Sequence, residues 1–412
     1  MAGLLVTGEV LSSLHLCRIT IRHPDDIHTS DVVRVTAHPN SLLVRFSDGN
    51  VLKVNTPKGV ELTSGNPEFV ISNGRYINVR LVLSEKSKML RNIYSDLAGV
   101  IRSLTIKSPY DVLRAKDLVI ACSGCDVLLS ECVNFDRIRE IPATHWEQSK
   151  EEWFCHGHGS AFDKLKPGAV APKLRDCFFS DLYFQLKAEV LLDAHHRVDC
   201  QSNAVCFNCN NVFGVQEKDQ VKLWTHRIKW LENTDARSLV YHSDEITLLV
   251  SLIDNLSDTL AVNSRVVFTK HSTPKTFLYM CVMDVNLSVL TSQDARKATQ
   301  DSNKDIAENF MAVNISDGSH LSSTSHKKNK RCTFDEYKAE VIMEKCSVIK
   351  VLFKLVRGEN EETSKWNDDV NVNVFQCSES LFDTVSGILA DSAQDLEPIQ
   401  GEQLTVGYII RK

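Results

Sequence analysis

Four cysteines in two Cys-x-x-Cys pairs are the residues of this chain whose types and spacing are best suited to chemistry. Cys122 and Cys125 form the first pair, in Cys-Ser-Gly-Cys, and Cys206 and Cys209 form the second, in Cys-Phe-Asn-Cys. Two such pairs can supply the four thiolates of one tetrahedral zinc ion, because each pair makes a tight knuckle with both sulfurs on the same side. We therefore predict one structural zinc ion. Four thiolates leave no open coordination position, which argues against catalytic zinc.

Two other interpretations of these cysteines stay open. The separation between Cys125 and Cys206 is far longer than in an ordinary zinc finger. Two unrelated pairs of buried free cysteines would also fit, because cysteine is among the most buried residue types. A thioredoxin-like redox motif is the third interpretation, but no βαβ pattern surrounds either pair.

Between the two pairs lies a segment that is rich in tryptophan, cysteine and histidine. Trp146 and Trp153 are seven residues apart, a spacing that places both indoles on one face of a short helix. Buried core anchors are the simpler interpretation of both. Cys155 and His156 follow among glycines, where a thiolate can be presented to a metal ion held by a partner protein. An ordinary loop thiol explains Cys155 equally well.

Length and composition indicate a globular protein. A chain of 412 residues suggests two or three domains, and the hydrophobic fraction of 43% and charged fraction of 24% are ordinary. The net charge of −6 gives no reason to expect direct nucleic-acid binding. The chain shows neither a signal peptide nor an apolar run of transmembrane length, so we expect no membrane partner. Its 13 cysteines are then expected to be reduced thiols, in the cytoplasm or nucleus.

The first of three predicted segments, residues 1–117, is a β-rich scaffold. Short alternating stretches of β-branched residues predict strands at 32–35, 42–46, 51–54 and 77–82. Gly49 marks a turn between two of them, because glycine readily takes a positive φ. Strands at this spacing predict a β-meander or a small sandwich. The stretch 84–106 is ambiguous, although its apolar residues between 89 and 101 fit one face of a helix.

The second segment, residues 118–215, is the predicted zinc-knuckle region. Apolar stretches enter and leave the first cysteine pair, which indicates a strand, a knuckle and a second strand. Residues 176–184 are an aromatic-rich entry into a strand, and we assign them to the core. His195 and His196 have no partner at helical spacing, and we predict that both are solvated.

The third segment, residues 216–412, mixes strand and helix patterns. Residues 220–231 alternate as one strand, and Ser243 and Asp244 cap a helix with an acidic first turn. Further strands are predicted at 266–268, 277–285, 348–356 and 404–410, and a second helix at 381–389. Residues 291–331 are rich in polar side chains and form a predicted flexible insert. The chain as a whole is predicted to have an α+β fold that is predominantly β.

Several of these motifs occur together and in the order found in one family. They are Cys122-x-x-Cys125, Trp146, Glu152-Trp153-x-Cys155-His156, Asp176-Cys177-Phe178, and Cys206-x-x-Cys209 followed by Gly214. With them the chain resembles the HECT-like ubiquitin-conjugating-enzyme-binding proteins, a family of E3 ubiquitin ligases. The resemblance implies a HECT-like α+β region in the third segment, binding of a ubiquitin-conjugating enzyme (E2), and transfer of ubiquitin to protein substrates. It also implies E2 docking near the predicted helix, at Ile246, Leu249, Val250 and Ile253.

The same resemblance implies a second role. The family's Trp-x-Cys-His segment is associated with gripping the zinc endonuclease of pre-mRNA 3′-end processing and occluding its metal site. In this chain Cys155 would be the ligand to the partner's metal, with Trp146, Trp153 and His156 as partner contacts. The alternative function is therefore a non-catalytic inhibitor or assembly partner of that nuclease. A basic run at 326–331 is compatible with nuclear localisation.

A HECT-type mechanism needs a cysteine that accepts ubiquitin as a thioester before a lysine attacks it. Cys377 is the candidate for that role, because it lies where such a cysteine is expected near the C-terminus. The residues before it are Asn-Val-Phe-Gln, whereas Leu-Pro-x-x-Thr precedes the HECT cysteine. No histidine follows Cys377 in the chain, and its near neighbour Glu379 is acidic. A reactive thiol needs a basic or cationic neighbour, so the sequence leaves the transfer mechanism open.

Overall fold

The structure is a computed structural model, and it describes most of the chain. The described residues are 4–72, 74–88, 112–114, 117–141, 172–233, 238–259, 265–271, 276–292, 339–358, 361, 365–366, 369, 372–394 and 404–411. Strands predominate among them, which confirms a mostly β protein with some helix. Within these residues no helix is both long enough and apolar enough to cross a membrane.

The strands and the two longer helices follow one another along the chain in three groups. The first group is β1 (Leu5–Leu11), β2 (Leu16–Arg22), β3 (Val32–His38), β4 (Ser41–Phe46), β5 (Val51–Asn55), β6 (Glu68–Ser72) and β7 (Tyr76–Val82). The second is β8 (Leu118–Cys122), β9 (Arg137–Glu140), β10 (Asp176–Phe179), β11 (Tyr183–Lys187), β12 (His196–Val198), β13 (Asn203–Cys206), β14 (Val212–Glu217), β15 (Gln220–Trp224), β16 (Ile228–Glu232) and β17 (Leu239–Tyr241). The third is α1 (Glu245–Thr259), β18 (Arg265–Lys270), β19 (Thr276–Ser292), β20 (Ala339–Arg357), β21 (Val372–Cys377), α2 (Glu379–Gln394) and β22 (Thr405–Ile410).

The largest sheet joins the two ends of the chain. Its strands run in the order β3-β4-β5-β20-β19-β1-β2-β7-β6, with β18, β21 and β22 attached beside β19 and β20. Ala37 in β3 and Gly65, three residues before β6, exchange backbone hydrogen bonds, so the sheet curls and brings the segment before β6 next to β3. One face of each strand in this curl is buried in a core that includes Ile19, Leu42 and Val54. The predicted first segment is therefore completed by strands of the predicted third, and the domain boundaries themselves stay a prediction.

The long antiparallel pair of β19 and β20 explains how strands of the first and third groups share one sheet. The two strands are 17 and 19 residues long and pair along almost their full length. The register shifts at Val282 and again at Asp284, which bends the pair as bulges do. One half of it pairs with β1 and β5, and the other half pairs with β18 and β22. The strands predicted at 277–285 and 348–356 are confirmed, but each belongs to a strand about twice as long.

Strands β8 to β17 form two smaller sheets that pack on each other. The seven-stranded sheet has the order β12-β13-β14-β15-β11-β10-β9, and the three-stranded sheet has the order β17-β16-β8. Their shared core contains Phe184, Phe213 and Trp230, all fully buried. Gly214 permits the close approach of β14 and β15, because a Cβ there would lie 2.3 Å from the Lys222 carbonyl oxygen.

The prediction of one strand over residues 220–231 is wrong. β15 ends at Trp224 and pairs with β11 and β14, while β16 begins at Ile228 and pairs with β8 in the other sheet. The short 3-10 turn Thr225–Arg227 makes the corner. Thr225 and His226 are buried in this turn, so the apolar alternation shows no break in sequence at the point where the chain changes sheets.

The two helices cover one face of β18–β22. Asp244 caps α1, because its carboxylate accepts hydrogen bonds from the backbone N–H groups of Ile246 and Thr247. Ser378 caps α2 by accepting from the backbone N–H of Leu381. The predicted start of α1 is thus confirmed. Gly49, between β4 and β5, has a positive φ, as predicted, with a value of 83°. Residues 89–106 of the ambiguous stretch lie outside the described residues, as does the predicted insert except for residues 291 and 292.

Candidate metal centre

The two Cys-x-x-Cys pairs form knuckles with the same backbone geometry. In the first, the Cys122 N–H donates to Val127, and the Asp126 N–H donates back to the Cys122 carbonyl. In the second, Cys206 and Asn210 repeat both bonds, with Asn211 in the place of Val127. Asp126 and Asn210 occupy the equivalent left-handed position, with φ of 60° and 58°, where Asp and Asn are better tolerated than other non-glycine residues.

The fold brings all four sulfurs together. The Sγ atoms of Cys122 and Cys209 are 3.6 Å apart, and those of Cys125 and Cys206 are 3.7 Å apart. All four ligand atoms lie within 4.8 Å of one another. A tetrahedral ion with metal–sulfur bonds of about 2.3 Å requires sulfur–sulfur separations of about 3.8 Å, whereas a disulfide requires about 2.05 Å. The cluster therefore has the geometry of a four-thiolate metal site and not of disulfides.

The sulfurs differ in exposure and in hydrogen bonding. Cys122 and Cys206 are buried, Cys125 is half-buried and Cys209 is exposed. The Asn211 amide donates to Cys122 Sγ at 3.4 Å. Burial raises the pKa of Cys125, but hydrogen bonds from the Asn208 side chain and the Val127 backbone bring that pKa down to about 7. Because thiolates are the ligands, a divalent ion bound here displaces the thiol protons.

The cluster joins the two smaller sheets. The first knuckle follows β8 of the three-stranded sheet, and the second follows β13 of the seven-stranded sheet. The Ser123 N–H donates to the Arg227 carbonyl, and Lys229 forms an ion pair with Asp126 at 2.6 Å, so β16 and the turn before it brace the first knuckle. A metal ion held by all four cysteines would link the two sheets directly.

The prediction that His195 and His196 are solvated is wrong for His196, which is buried. Its Nδ1 lies 2.9 Å from the Leu192 carbonyl oxygen. His195 is half-buried, with its ring at hydrogen-bond distance from Leu128, and its carbonyl accepts from the Phe207 N–H in the second knuckle. His195 thus connects the two knuckle regions, through its ring on one side and its carbonyl on the other, a role that sequence spacing does not reveal.

The predicted partner-binding segment lies outside the described residues. Trp146, Trp153, Cys155 and His156 fall between β9 and β10, in the stretch 142–171. The flanking strands are parallel neighbours in the seven-stranded sheet, so the stretch connects opposite ends of adjacent strands. The role proposed for Cys155 stays a prediction.

The predicted ubiquitin acceptor, Cys377, is a core residue. It ends β21 with 0% of its surface exposed and packs with Phe375 and Leu381. Its Sγ is 3.6 Å from the Thr269 carbonyl oxygen. Burial, and then the charge of Asp383, raise the pKa of Cys377 to about 12. In this arrangement the thiol is protonated and inaccessible, which is the opposite of what a thioester-forming nucleophile requires.

A polar cluster beside Cys377 was not predicted. His226 Nε2 lies 2.9 Å from Ser378 Oγ and 3.2 Å from Ser380 Oγ, at the start of α2. Arg227 donates from Nε to Ser380 and lies 3.4 Å from the Glu245 carboxylate, at the start of α1. These groups come from elements far apart in sequence. The cluster fastens the turn between β15 and β16 to the first turns of both helices.

The four α1 residues predicted to bind an E2 do not share one surface. Leu249 and Ile253 have 1% and 0% of their surface exposed and pack in the core beneath the helix. They are therefore not available to a partner in this structure. Ile246 and Val250 are half-buried and lie one turn apart, and Val250 also packs against the edge of that core. Only these two of the predicted residues remain candidates for an exposed docking surface.

The chain belongs to the family described as HECT-like ubiquitin-conjugating enzyme (E2)-binding, which it matches over residues 9–399. This confirms the resemblance seen in the sequence and covers nearly the whole chain. No curated protein and no solved structure matches the chain.

We expect the purified protein to hold one metal ion per chain and the Cys206→Ser variant to hold none, because Cys206 is a buried member of the cluster. Elemental analysis measures the content, and thermal unfolding with and without chelator measures what the ion contributes to stability. Cys132→Ser is the control, since Cys132 is an exposed thiol outside the cluster. A protein that is fully folded and metal-free would contradict the site.

We also expect His226 to make stability depend on pH. Burial, with the nearby charges of Arg227 and His242, lowers the pKa of His226 from 6.5 to about 3. Below about pH 6.5 this histidine is protonated in the unfolded chain but stays neutral in the folded chain. Its contribution to the free energy of unfolding is therefore fully present above pH 6.5 and is lost as the pH falls. One proton corresponds to about 1.4 kcal/mol per pH unit.

The measurement is the free energy of unfolding between pH 7 and pH 5. In His226→Gln the slope with pH should become shallower, by up to the value for one proton. His15→Asn, at an exposed histidine, should leave the slope unchanged. Equal slopes in wild type and His226→Gln would show that His226 is not held neutral in the fold.

Proposed function

We propose that this protein is an E3 ubiquitin ligase that binds a ubiquitin-conjugating enzyme and promotes transfer of ubiquitin to protein substrates. The observation that carries the proposal is the match to the E2-binding family over residues 9–399 of 412. A protein of this class need not form a covalent intermediate. It needs a surface for the E2 and a rigid framework that presents it.

We further propose that the four cysteines hold one structural zinc ion that is part of this framework. Four thiolates with the separations seen here suit zinc, and they leave no position for substrate or water. The first knuckle continues through β8 to β16 and β17, and α1 follows β17 directly. His242, between β17 and α1, has Nδ1 3.0 Å from the Ile228 carbonyl oxygen. The ion would thereby fix the strands from which α1 starts.

The proposed E2-docking surface is the side of α1 that carries the half-buried residues Ile246 and Val250, at the edge of the core. Leu249 and Ile253, on the inner side, anchor the helix in the core that it shares with α2 and β18–β20. Further along the helix, Asp254 forms a two-point ion pair with Arg411. An amphipathic helix that is already anchored in the fold costs little ordering entropy on binding, which favours affinity.

The proposed route of transfer goes directly from the E2 to the substrate. In that route a lysine amine of the substrate attacks the carbonyl of the E2–ubiquitin thioester, an isopeptide bond forms, and the E2 thiol leaves. The buried and protonated state of Cys377 supports this route. A relay through Cys377 would require opening of the core around the start of α2.

The E2 surface is tested by pull-down against a panel of ubiquitin-charged conjugating enzymes. Ile246→Asp and Val250→Asp should each weaken capture by about tenfold or more, because a charge replaces an apolar contact in the middle of the interface. Leu14→Asp is the control, at an exposed apolar residue in the first group of strands. Failure of the wild-type chain to capture any enzyme would refute the proposed function; equal capture by the α1 variants would refute only the location.

The transfer route is tested with Cys377→Ser in a self-ubiquitination assay. Serine keeps the size and can still donate to the Thr269 carbonyl, so we expect folding and transfer close to wild type. No reductant-sensitive adduct should form on wild type. Loss of transfer in the variant, with ubiquitin trapped as a reductant-resistant ester at position 377, would instead establish the HECT-type relay.

A further inference from the structure

The second knuckle carries three asparagines, and only two of them are directed at sulfur. Asn211 Nδ2 donates to Cys122 Sγ at 3.4 Å, and the Asn208 side chain hydrogen-bonds Cys125. Both sulfurs belong to the opposite knuckle. The third, Asn210, points elsewhere, because its Oδ1 accepts a 3.0 Å hydrogen bond from Arg197.

The first knuckle is shaped to allow this approach. A Cβ at Gly124 would lie 3.3 Å from Cys209 Sγ, 3.6 Å from Asn211 Cβ and 3.7 Å from Asn211 Nδ2. The first of these is tighter than ordinary van der Waals contact. The absence of a side chain at Gly124 lets the Asn211 amide and the Cys209 sulfur sit directly against the first knuckle.

The negative charge of a four-thiolate site explains why amide donors would be placed beside its sulfurs. Four thiolates around one divalent cation carry a net charge of −2, and two of the sulfurs are buried. Buried negative charge is costly unless N–H groups hydrogen-bond to it. Groups that orient the ligands of a metal commonly change its affinity by about 10- to 100-fold when removed.

We propose that Asn211, assisted by Asn208, is a positioning residue of the metal centre: the second knuckle holds the thiolates of the first toward the ion and shields them from electrophiles. The inference rests on the proposed zinc site and adds a specific role for residues outside the four ligands. The two knuckles then contact each other through these hydrogen bonds in addition to the shared ion. Asn210 takes no part, although it lies in the same loop.

The test compares Asn211→Asp with Asn210→Asp in the full chain. Both substitutions keep the side-chain shape and add one negative charge to the same loop, but only the first removes an amide donor to sulfur. Competition with a chromophoric zinc chelator measures affinity. We expect Asn211→Asp to bind zinc about 10- to 100-fold more weakly than Asn210→Asp, and equal affinities would overturn the proposal.

Alkylation with iodoacetamide provides a readout that a general loss of stability does not produce. After brief exposure of the zinc-loaded proteins, peptide mass spectrometry should show increased modification of Cys122 relative to Cys206 in Asn211→Asp and no such change in Asn210→Asp. Uniform modification of all four cysteines would overturn the positioning role. If Asn211→Asp does not fold in excess zinc, Asn208→Asp decides the question through the same comparison at Cys125.

The two levels of the proposal fail in different ways. Wild-type protein without zinc removes both the structural ion and the role of the asparagines. Wild-type protein with one zinc ion, but with Asn211→Asp and Asn210→Asp indistinguishable, leaves the ion in place and overturns only the positioning role.

Discussion

The meeting of four cysteine sulfurs is the constraint on which the middle of this protein depends. Cys122 ends a strand of one sheet and Cys206 ends a strand of the other. The four sulfurs therefore meet only when the two sheets pack together through their shared core. Closing a loop this long costs entropy, although the cost grows only slowly with length. Burial of Phe184 and Trp230 offsets part of it, and an ion bound to the four thiolates would add its binding energy to folding.

The effect of this junction extends to both helices through one short turn. Arg227 contacts Glu245 at the start of α1 and Ser380 at the start of α2, while His226 contacts Ser378. The backbone carbonyl of Arg227 also accepts a hydrogen bond from the Ser123 N–H of the first knuckle. The proposed metal centre and the proposed E2 helix are therefore two ends of one contact chain, which is a physical reason for an E2-binding protein to keep a metal ion that takes no part in catalysis.

Local features could be predicted from the sequence, and distant pairings could not. The knuckle spacing, the Asp244 cap and the Gly49 turn depend on a few adjacent residues, so their patterns are visible in the chain. The corner at Thr225 is invisible because its residues are as buried as the strands that it separates. The joining of β1 to β19, and of His226 to Ser378, is decided by packing between residues more than a hundred positions apart. Periodicity gives the buried face of a strand, but it does not give the neighbour.

Cys377 shows how two physical effects compete at one position. A cysteine next to a helix N-terminus often has a lowered pKa, because the helix dipole stabilises the thiolate. Here the helix cap is the next residue, Ser378, and the cysteine ends the strand before it, with its sulfur near the Thr269 carbonyl oxygen. A carbonyl accepts from a thiol but repels a thiolate, and burial penalises the charge further. Burial therefore outweighs the dipole, and this arrangement argues against Cys377 as a residue that carries ubiquitin.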